Sequence, residues 1–344
     1  MKVICIEEHV SDEAVETAAR ADFGKVASFL SSISDEVTAG DGTRPQILSL
    51  TSAAQGAADI GDARLQQMDD HGIDVQVLAL GNTGATQFLP ADSAAQTCTD
   101  SNNRLADLIA VHPNRFRAFA ALPWSDPEAA ASELRRTVSD LGFVGAMLCG
   151  NVGNAFLDDS RFDVLLAAFA ETRVPLYLHP NAPIPAVREK YYDGLGDEVS
   201  ARLSAFGWGW HNEAGIHAIR LILSGAFDRH PDLQVISGHW GEMVPFFLQR
   251  IDDAIPLSVS GLSRTVTQTY REHFYVTPSG MVGDPYQPHF RFIYDMLGPE
   301  RIMYSVDYPY VSMSGASEFL LGLDIPDRDR DLIAHGNAER LLRL

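Results

Sequence analysis

Five acidic and imidazole side chains, spread over most of the chain, could together hold one metal ion. They are Glu7, His9, His179, His239 and Asp307. Each stands where a run of apolar, strand-like residues stops, as is typical of parallel strands buried on both faces. Imidazole nitrogens combined with carboxylate oxygens suit Zn²⁺, Mn²⁺ or Fe²⁺ better than Ca²⁺. The sequence therefore indicates a catalytic metal centre at strand ends, and hence an enzyme.

The first strand carries two of these side chains at a spacing of two. Residues i and i+2 of a strand point to the same side. We therefore expect Glu7 and His9 to face the interior of the fold together, with Glu8 pointing away.

The elements that must position these side chains alternate between strands and amphipathic helices. Such alternation predicts a parallel sheet, and eight units predict closure into a (β/α)8 TIM barrel. The 344 residues fit one domain of this kind, spanning residues 1–344. The predicted strands are Val3–Glu7, Val75–Leu80, Phe116–Leu122, Gly145–Cys149, Pro175–His179, Gln234–Gly238, Phe274–Thr277 and Ile302–Val306.

Two segments do not fit the repeating unit. Residues 10–66 form a helical insertion after strand one, with a turn expected at 40–43. Residues 181–213 form a long loop after strand five, rich in aromatic side chains. Both leave from the carboxyl ends of strands, where barrel active sites lie. We expect the two segments to cap and shape the pocket.

Composition restricts the class of partner. The net charge of −20 argues against nucleic acid and anionic membranes, and the sequence has no apolar run long enough to cross a bilayer. The three cysteines, Cys5, Cys98 and Cys149, are far apart and form no CxxC pair. They favour a reduced, cytoplasmic setting. A small carboxylic acid is the expected partner, provided that the mouth of the barrel is locally positive.

The motifs resemble those of the amidohydrolase superfamily. They are similar in particular to its decarboxylase branch, which includes the aminocarboxymuconate-semialdehyde, γ-resorcylate and dihydroxybenzoate decarboxylases. The likeness covers nearly the whole chain. The motifs on which the resemblance rests include Glu7-Glu8-His9, Leu178-His179-Pro180, Gly238-His239-Trp240-Gly241-Glu242, Ser305-Val306-Asp307-Tyr308-Pro309 and the terminal Gly336-Asn337-Ala338-Glu339-Arg340-Leu341-Leu342.

The resemblance implies a ligand set and roles. Glu7, His9, His179 and Asp307 would bind one divalent ion per subunit, zinc or manganese, with magnesium possible. His239 would lie beside the metal and work in acid–base chemistry, with Glu242 as its partner. The resemblance points to Asp307 as the proton donor, and His239 with Glu242 is the competing donor, since an imidazole titrates near neutral pH.

Two features favour a mononuclear lyase over a binuclear hydrolase. The first motif is Glu-x-His rather than His-x-His, and binuclear relatives carry a carboxylated lysine at the end of strand four. The only lysines here are Lys2, Lys25 and Lys190, so none can take that role.

Substrate binding is expected from four further residues. Trp210, His211 and His217 belong to the loop after strand five and the helix that follows it, where they bind a planar ring or pack the cap. Arg250 either contacts a carboxylate or hydroxyl, in its own or a neighbouring subunit's pocket, or is an ordinary surface arginine. A homodimer or homotetramer is expected from the resemblance.

Three functions remain open on the sequence. The first is a metal-dependent, non-oxidative decarboxylase of a hydroxylated aromatic acid or a related unsaturated acid. The second is a mononuclear hydrolase of a lactone, ester or amide. The third, a catalytically silent barrel, is disfavoured by the intact set of ligand and base candidates.

Overall fold

The computed structural model describes residues 1–37, 42–81 and 85–344 of the chain. The expected turn at 40–43 therefore lies partly outside the described residues. All paired strands are parallel. The strands are β1 (Ile4–Val10), β2 (Val75–Leu80), β3 (Phe116–Ala118), β4 (Ala146–Cys149), β5 (Leu176–His179), β6 (Val235–Ser237) and β7 (Phe274–Val276).

The strands form a ring in chain order, which confirms the predicted barrel fold. Two sheets, β1-β2-β3 and β4-β5-β6-β7, are joined by a parallel bridge between Ala120 and Ala146. Residues 302–306 take the eighth position, since Ile302 bridges to Val276 and Tyr304 bridges to Cys5.

Residues 302–306 were predicted to form a strand, but they pair with their neighbours only through isolated bridges. Their ladder with β1 is interrupted by a side chain. The Val306 amide donates to the Glu8 carboxylate at 2.9 Å, whereas the Ile6 amide makes an ordinary backbone bond to Tyr304 at 3.1 Å. A carboxylate therefore replaces a strand carbonyl at the point where the chain turns into Asp307.

Helices follow most strands and pack around the ring. Their bounds are α1 (Glu13–Ala27), α2 (Leu50–Ala58), α3 (Asp62–Asp70), α4 (Ala94–Val111), α5 (Pro127–Leu141), α6 (Asp163–Thr172), α7 (Pro185–Tyr191), α8 (Asp197–Ser204), α9 (Gly209–Leu223), α10 (Ala226–Arg229), α11 (His239–Glu242), α12 (Val244–Ala254), α13 (Leu257–Ser260), α14 (Val266–His273), α15 (Gln287–Leu297), α16 (Ala316–Leu321), α17 (Asp327–Asp331) and α18 (Asn337–Leu342). None of these helices combines the length and the apolar character that crossing a membrane requires.

Two apolar layers support the ring. The inner layer fills the barrel with alternate strand side chains such as Ile4, Val77 and Phe119. The outer layer packs the opposite faces of the strands against the helices, with Phe169 and Phe227 fully buried. Because the barrel is filled by side chains, an active site can lie only at its rim.

The two segments that depart from the repeating unit pack against each other. Phe29, from the segment after β1, lies in one buried cluster with Ala201 and Ala205 of the segment after β5. Arg202 of α8 donates to the backbone carbonyls of Ser34 and Glu36 at 3.0 and 2.9 Å. The segment after β5 is largely helical rather than a loop, since it contains α7 and α8.

Arg64 ties the segment after β1 to the barrel. Its guanidinium is fully buried and donates to the carbonyls of His9 at 2.7 Å and Gly56 at 3.0 Å. Buried carbonyls that lose a charged donor are costly.

We expect Arg64→Met to lower the free energy of unfolding by roughly 3–5 kcal/mol, because charge-assisted bonds to one buried and one half-buried carbonyl are lost together. Chemical unfolding followed by circular dichroism measures the change. Arg20→Met, at an exposed position on α1, is the matched control. Equal stability of the two variants would contradict this role for Arg64.

Candidate metal centre

A register shift in β1 determines which side chains reach the centre. Ile4 and Ile6 pack inside the barrel, so strict alternation would send Glu8 there as well. The pairing of β1 with β2 instead shifts just before Glu8, which inserts one extra residue. Glu7 and His9 consequently lie together at the rim, and Glu8 points away from them. Glu7 and His9 are the pair that the spacing predicts, whereas the bulge that places them there is not evident from the sequence.

The structure brings the four predicted ligands together. Glu7 Oε1 lies 3.2 Å from His179 Nε2, and His9 Nε2 lies 3.1 Å from Asp307 Oδ1. The rings of His9 and His179 meet edge to face with centroids 5.0 Å apart. Glu7 and His9 are fully buried, and only 14% of the Asp307 side chain is exposed.

The donor atoms of this cluster fit a divalent cation. Glu7 Oε1, both ring nitrogens of His9 and Asp307 Oδ1 are buried and have no hydrogen-bond partner among the described residues. Most buried polar atoms in proteins do have such a partner. Zinc bonds of roughly 2.0–2.2 Å place neighbouring ligand atoms about 3 Å apart, close to the spacings seen here. Unpartnered donors at this spacing are what a metal-ligand set requires.

His239 adjoins the cluster and is held by Glu242, the predicted partner. His239 Nδ1 lies 2.8 Å from Glu242 Oε1, and its Nε2 lies 3.9 Å from Asp307 Oδ2. Burial lowers the pKa of His239, but the nearby carboxylates of Glu242 and Asp307 outweigh it and raise the pKa to about 10. Burial raises the pKa of Asp307, yet the neighbouring imidazoles of His239 and His9 bring it down to about 2.

Glu242 holds two imidazoles at once. Its second oxygen, Oε2, lies 2.9 Å from His211 Nδ1, and the rings of His211 and His239 are 4.3 Å apart. The turn that carries this group is strained, with positive φ at His239 (47°), Trp240 (58°) and Glu242 (53°). Strain of this kind is characteristic of functional sites.

Glu8 holds the backbone on both sides of Asp307. The amides of Val306 and Tyr308 donate to Glu8 at 2.9 and 3.2 Å. Asp307 itself has a φ of 69°, a conformation that L-residues rarely adopt. Burial raises the pKa of Glu8 to about 8, against the lowering effect of the Val306 amide and of Arg64.

The side chains that contact the other oxygen of Glu7 were not among the residues predicted from the sequence. Tyr177 and Ser279 both donate hydroxyl hydrogen bonds to Glu7 Oε2. Tyr177 precedes His179 by two residues on the same strand, so the alternation applied to β1 would have identified it. Ser279 follows β7 after a turn, and the sequence carries no spacing signal for it.

The predicted substrate-binding residues take different positions. The Trp210 indole donates to His211 Nε2 at 3.0 Å, and its ring packs on Phe206. Arg250 is exposed on α12, where this chain provides it with no ion-pair partner among the described residues. These assignments stay predictions.

His217 has a backbone partner that accounts for its burial without a ligand. Its Nε2 accepts from the Leu157 amide at 2.8 Å. Burial lowers its pKa to about 3, so the ring is neutral. His217 therefore helps to hold the segment after β4, and its predicted substrate-binding role stays a prediction.

The end of β4 has no lysine, in agreement with the sequence. Cys149 stands there, buried and paired in register with His179. Cys5, Cys98 and Cys149 are all free thiols.

Comparisons with known proteins find a family model and relatives that match most of the chain. A family model described as amidohydrolase matches residues 51–344. The chain is 36% identical over 293 residues to decarboxylase orsB of Emericella nidulans, covering 83% of this chain and 86% of that protein. It is 37% identical over 306 residues to γ-resorcylate decarboxylase of Rhodococcus jostii, covering 83% and 88%.

A solved structure extends the likeness to the whole fold. The dihydroxybenzoic acid decarboxylase of Polaromonas sp. JS666, with bound manganese and the inhibitor 2-nitroresorcinol, superposes with a TM-score of 0.83 at 32% identity. The match covers 100% of this chain and 97% of that one. With the barrel, the rim cluster and these relatives in agreement, the chain belongs to the amidohydrolase family and is an enzyme of its decarboxylase branch.

Proposed function

We propose that this enzyme removes carbon dioxide from a hydroxylated aromatic acid without oxidation, with one divalent cation held by Glu7, His9, His179 and Asp307. The convergence of unpartnered, buried donor atoms at the rim carries the proposal. Relatives named γ-resorcylate decarboxylase support the substrate class, and the manganese in the Polaromonas structure supports manganese, with zinc as the alternative. When bound, the cation would hold the substrate carboxylate and an ortho hydroxyl and favour the phenolate.

His239 is the better proton donor on geometry. Its Nδ1 is committed to Glu242, so Nε2 is the nitrogen left to face the site. Asp307 Oδ1 lies among the ligand atoms and Oδ2 faces His239, which gives Asp307 the work of binding and orienting. We therefore assign Asp307 to cation binding. We assign His239, held by Glu242, to acid–base chemistry.

The proposed decarboxylation needs no external oxidant, because its atoms and electrons are all accounted for by the substrate and one proton. His239 delivers a proton to the ring carbon that bears the carboxylate, and the ring loses aromaticity. The bond from ring to carboxylate breaks, its electron pair returns to the ring, and carbon dioxide leaves. The new hydrogen stays on the ring carbon, and neutral His239 regains a proton from solvent. Glu242 keeps the imidazole in one orientation throughout.

We also propose a homodimer or homotetramer in the cytoplasm. Phe246, Phe247 and Phe292 form an exposed cluster on α12 and α15, with ring centroids 5.4 and 5.7 Å apart. Phe246 is 71% exposed, and Arg250 follows it by one helical turn. A contiguous aromatic surface of this kind is typical of a subunit interface.

The substrate assay separates decarboxylase from hydrolase. We expect the manganese-loaded enzyme to release carbon dioxide from 2,6-dihydroxybenzoate or a related hydroxybenzoate, and to release no acid from simple lactones. Chelation should abolish the activity, and added manganese should restore it. Carbon dioxide is measured by a coupled assay and acid by a pH indicator. Acid release alone, or full activity in the chelated enzyme, would refute the proposal.

Substitutions at the centre test the division of labour. We expect Asp307→Asn to abolish detectable turnover and His239→Gln to lower kcat by about 10²–10⁴-fold, the usual contribution of a positioned acid. Steady-state kinetics and circular dichroism measure both. Asp327→Asn, at a side chain that is 94% exposed, is the control and should behave as wild type. Substantial turnover by folded Asp307→Asn would contradict the assignment.

The aromatic cluster predicts a change in assembly state. We expect Phe246→Glu to shift the protein to smaller species in light scattering after gel filtration, because a charge would be buried at the contact. Leu321→Glu, at a leucine that is 63% exposed elsewhere, should leave the mass unchanged. A monomeric wild type would remove this part of the proposal.

A further inference from the structure

The two oxygens of Glu7 have opposite surroundings. Oε2 accepts hydrogen bonds from the hydroxyls of Tyr177 and Ser279. Oε1 has no hydrogen-bond partner among the described residues and lies 3.2 Å from His179 Nε2. The carboxylate is fully buried, so solvent cannot exchange the roles of its two oxygens.

The two donors are themselves anchored. The Tyr177 hydroxyl lies 3.1 Å from the Thr277 hydroxyl, which lies 2.8 Å from that of Ser279. The Ser279 amide donates to the Ser305 hydroxyl at 3.0 Å. Ser279 also has a φ of 43°, so the turn after β7 adopts a costly conformation that aims its side chain at Glu7.

Gly238 leaves the room that this arrangement needs. A Cβ atom at this position would lie 2.7 Å from the Ser279 hydroxyl, 2.8 Å from Glu7 Oε2 and 3.0 Å from the Tyr177 hydroxyl. The glycine before His239 therefore leaves space for the hydrogen bonds to Glu7 Oε2. These hydrogen bonds bring β5, the end of β6 and the turn after β7 together at one oxygen.

We propose that Tyr177 and Ser279 are positioning residues that occupy Glu7 Oε2, so that Oε1 is the one oxygen offered to the cation, and that they set the affinity of the centre. This inference rests on the cation site of the proposed function. Neutral hydroxyls suit the task because they orient the carboxylate without adding positive charge that would repel a cation. A lysine or arginine in their place would compete for the site.

Metal affinity tests the inference independently of turnover. Mn²⁺ binding to metal-free protein is titrated by electron paramagnetic resonance of the free ion, for wild type, Tyr177→Phe and Ser279→Ala. We expect Tyr177→Phe to weaken binding by about 10–100-fold, the usual effect of losing a partner that orients a ligand. Saturating Mn²⁺ should then restore most of kcat, since no ligand has been removed.

Tyr304→Phe is the matched control. Its side chain is also buried, and its hydroxyl donates to the Ala316 carbonyl at 2.7 Å. Tyr304 is therefore not one of the residues whose hydroxyls surround Glu7 Oε2. The control should lose stability but keep the wild-type Mn²⁺ affinity. Ser279→Ala should weaken binding in the same direction as Tyr177→Phe, and it carries the test if Tyr177→Phe does not fold.

Two results would overturn the inference. One is wild-type Mn²⁺ affinity in folded Tyr177→Phe or Ser279→Ala, and the other is equal weakening in Tyr304→Phe. Failure of the proposed function appears differently, as a wild-type protein that binds no Mn²⁺ or that binds it without releasing carbon dioxide from any hydroxybenzoate.

Discussion

The burial of negative charge at one end of the barrel is the constraint on which the rest of the structure depends. Glu7, Glu8 and Glu242 are almost inaccessible to solvent, and Asp307 is nearly so. Transferring a carboxylate from water into a protein interior costs several kcal/mol unless charge and hydrogen bonds compensate. Imidazoles offset the burial of Glu242, whereas backbone amides and Arg64 offset that of Glu8 only in part, so that its pKa stays raised. Glu7 and Asp307 keep unpartnered oxygens, and a cation is the group that would complete them.

The backbone conformations at the rim follow from the same constraint. His239, Ser279 and Asp307 follow β6, β7 and the eighth position, and each has a positive φ. Regular strand geometry would carry these side chains past the centre. Turning the chain back at each strand end costs on the order of 1–3 kcal/mol per residue, which the surrounding hydrogen bonds offset. Strain is therefore concentrated where strands must deliver side chains to one point.

The sequence predicted those parts of the site that depend on local periodicity. The alternation of strands with helices predicted the barrel, and the apolar runs that end at the ligand candidates placed them at strand ends. The family resemblance then selected the ligand set. The β1 bulge, the Ser279 contact and the buried Arg64 could not be predicted, because each depends on residues distant in sequence. The partner of His217, the Leu157 backbone amide, could not be predicted either, because it too lies far away in sequence.

Each carboxylate at the centre is restricted to one task by its partners. Asp307 faces His9 with one oxygen and His239 with the other, so it orients the acid while it belongs to the ligand set. Glu242 divides its oxygens between His239 and His211 and has none left for a cation held by Glu7. Glu7 divides its oxygens between hydroxyl donors and the ligand cluster. Because a carboxylate has only two oxygens, these pairings separate metal binding from proton transfer without any movement of the chain.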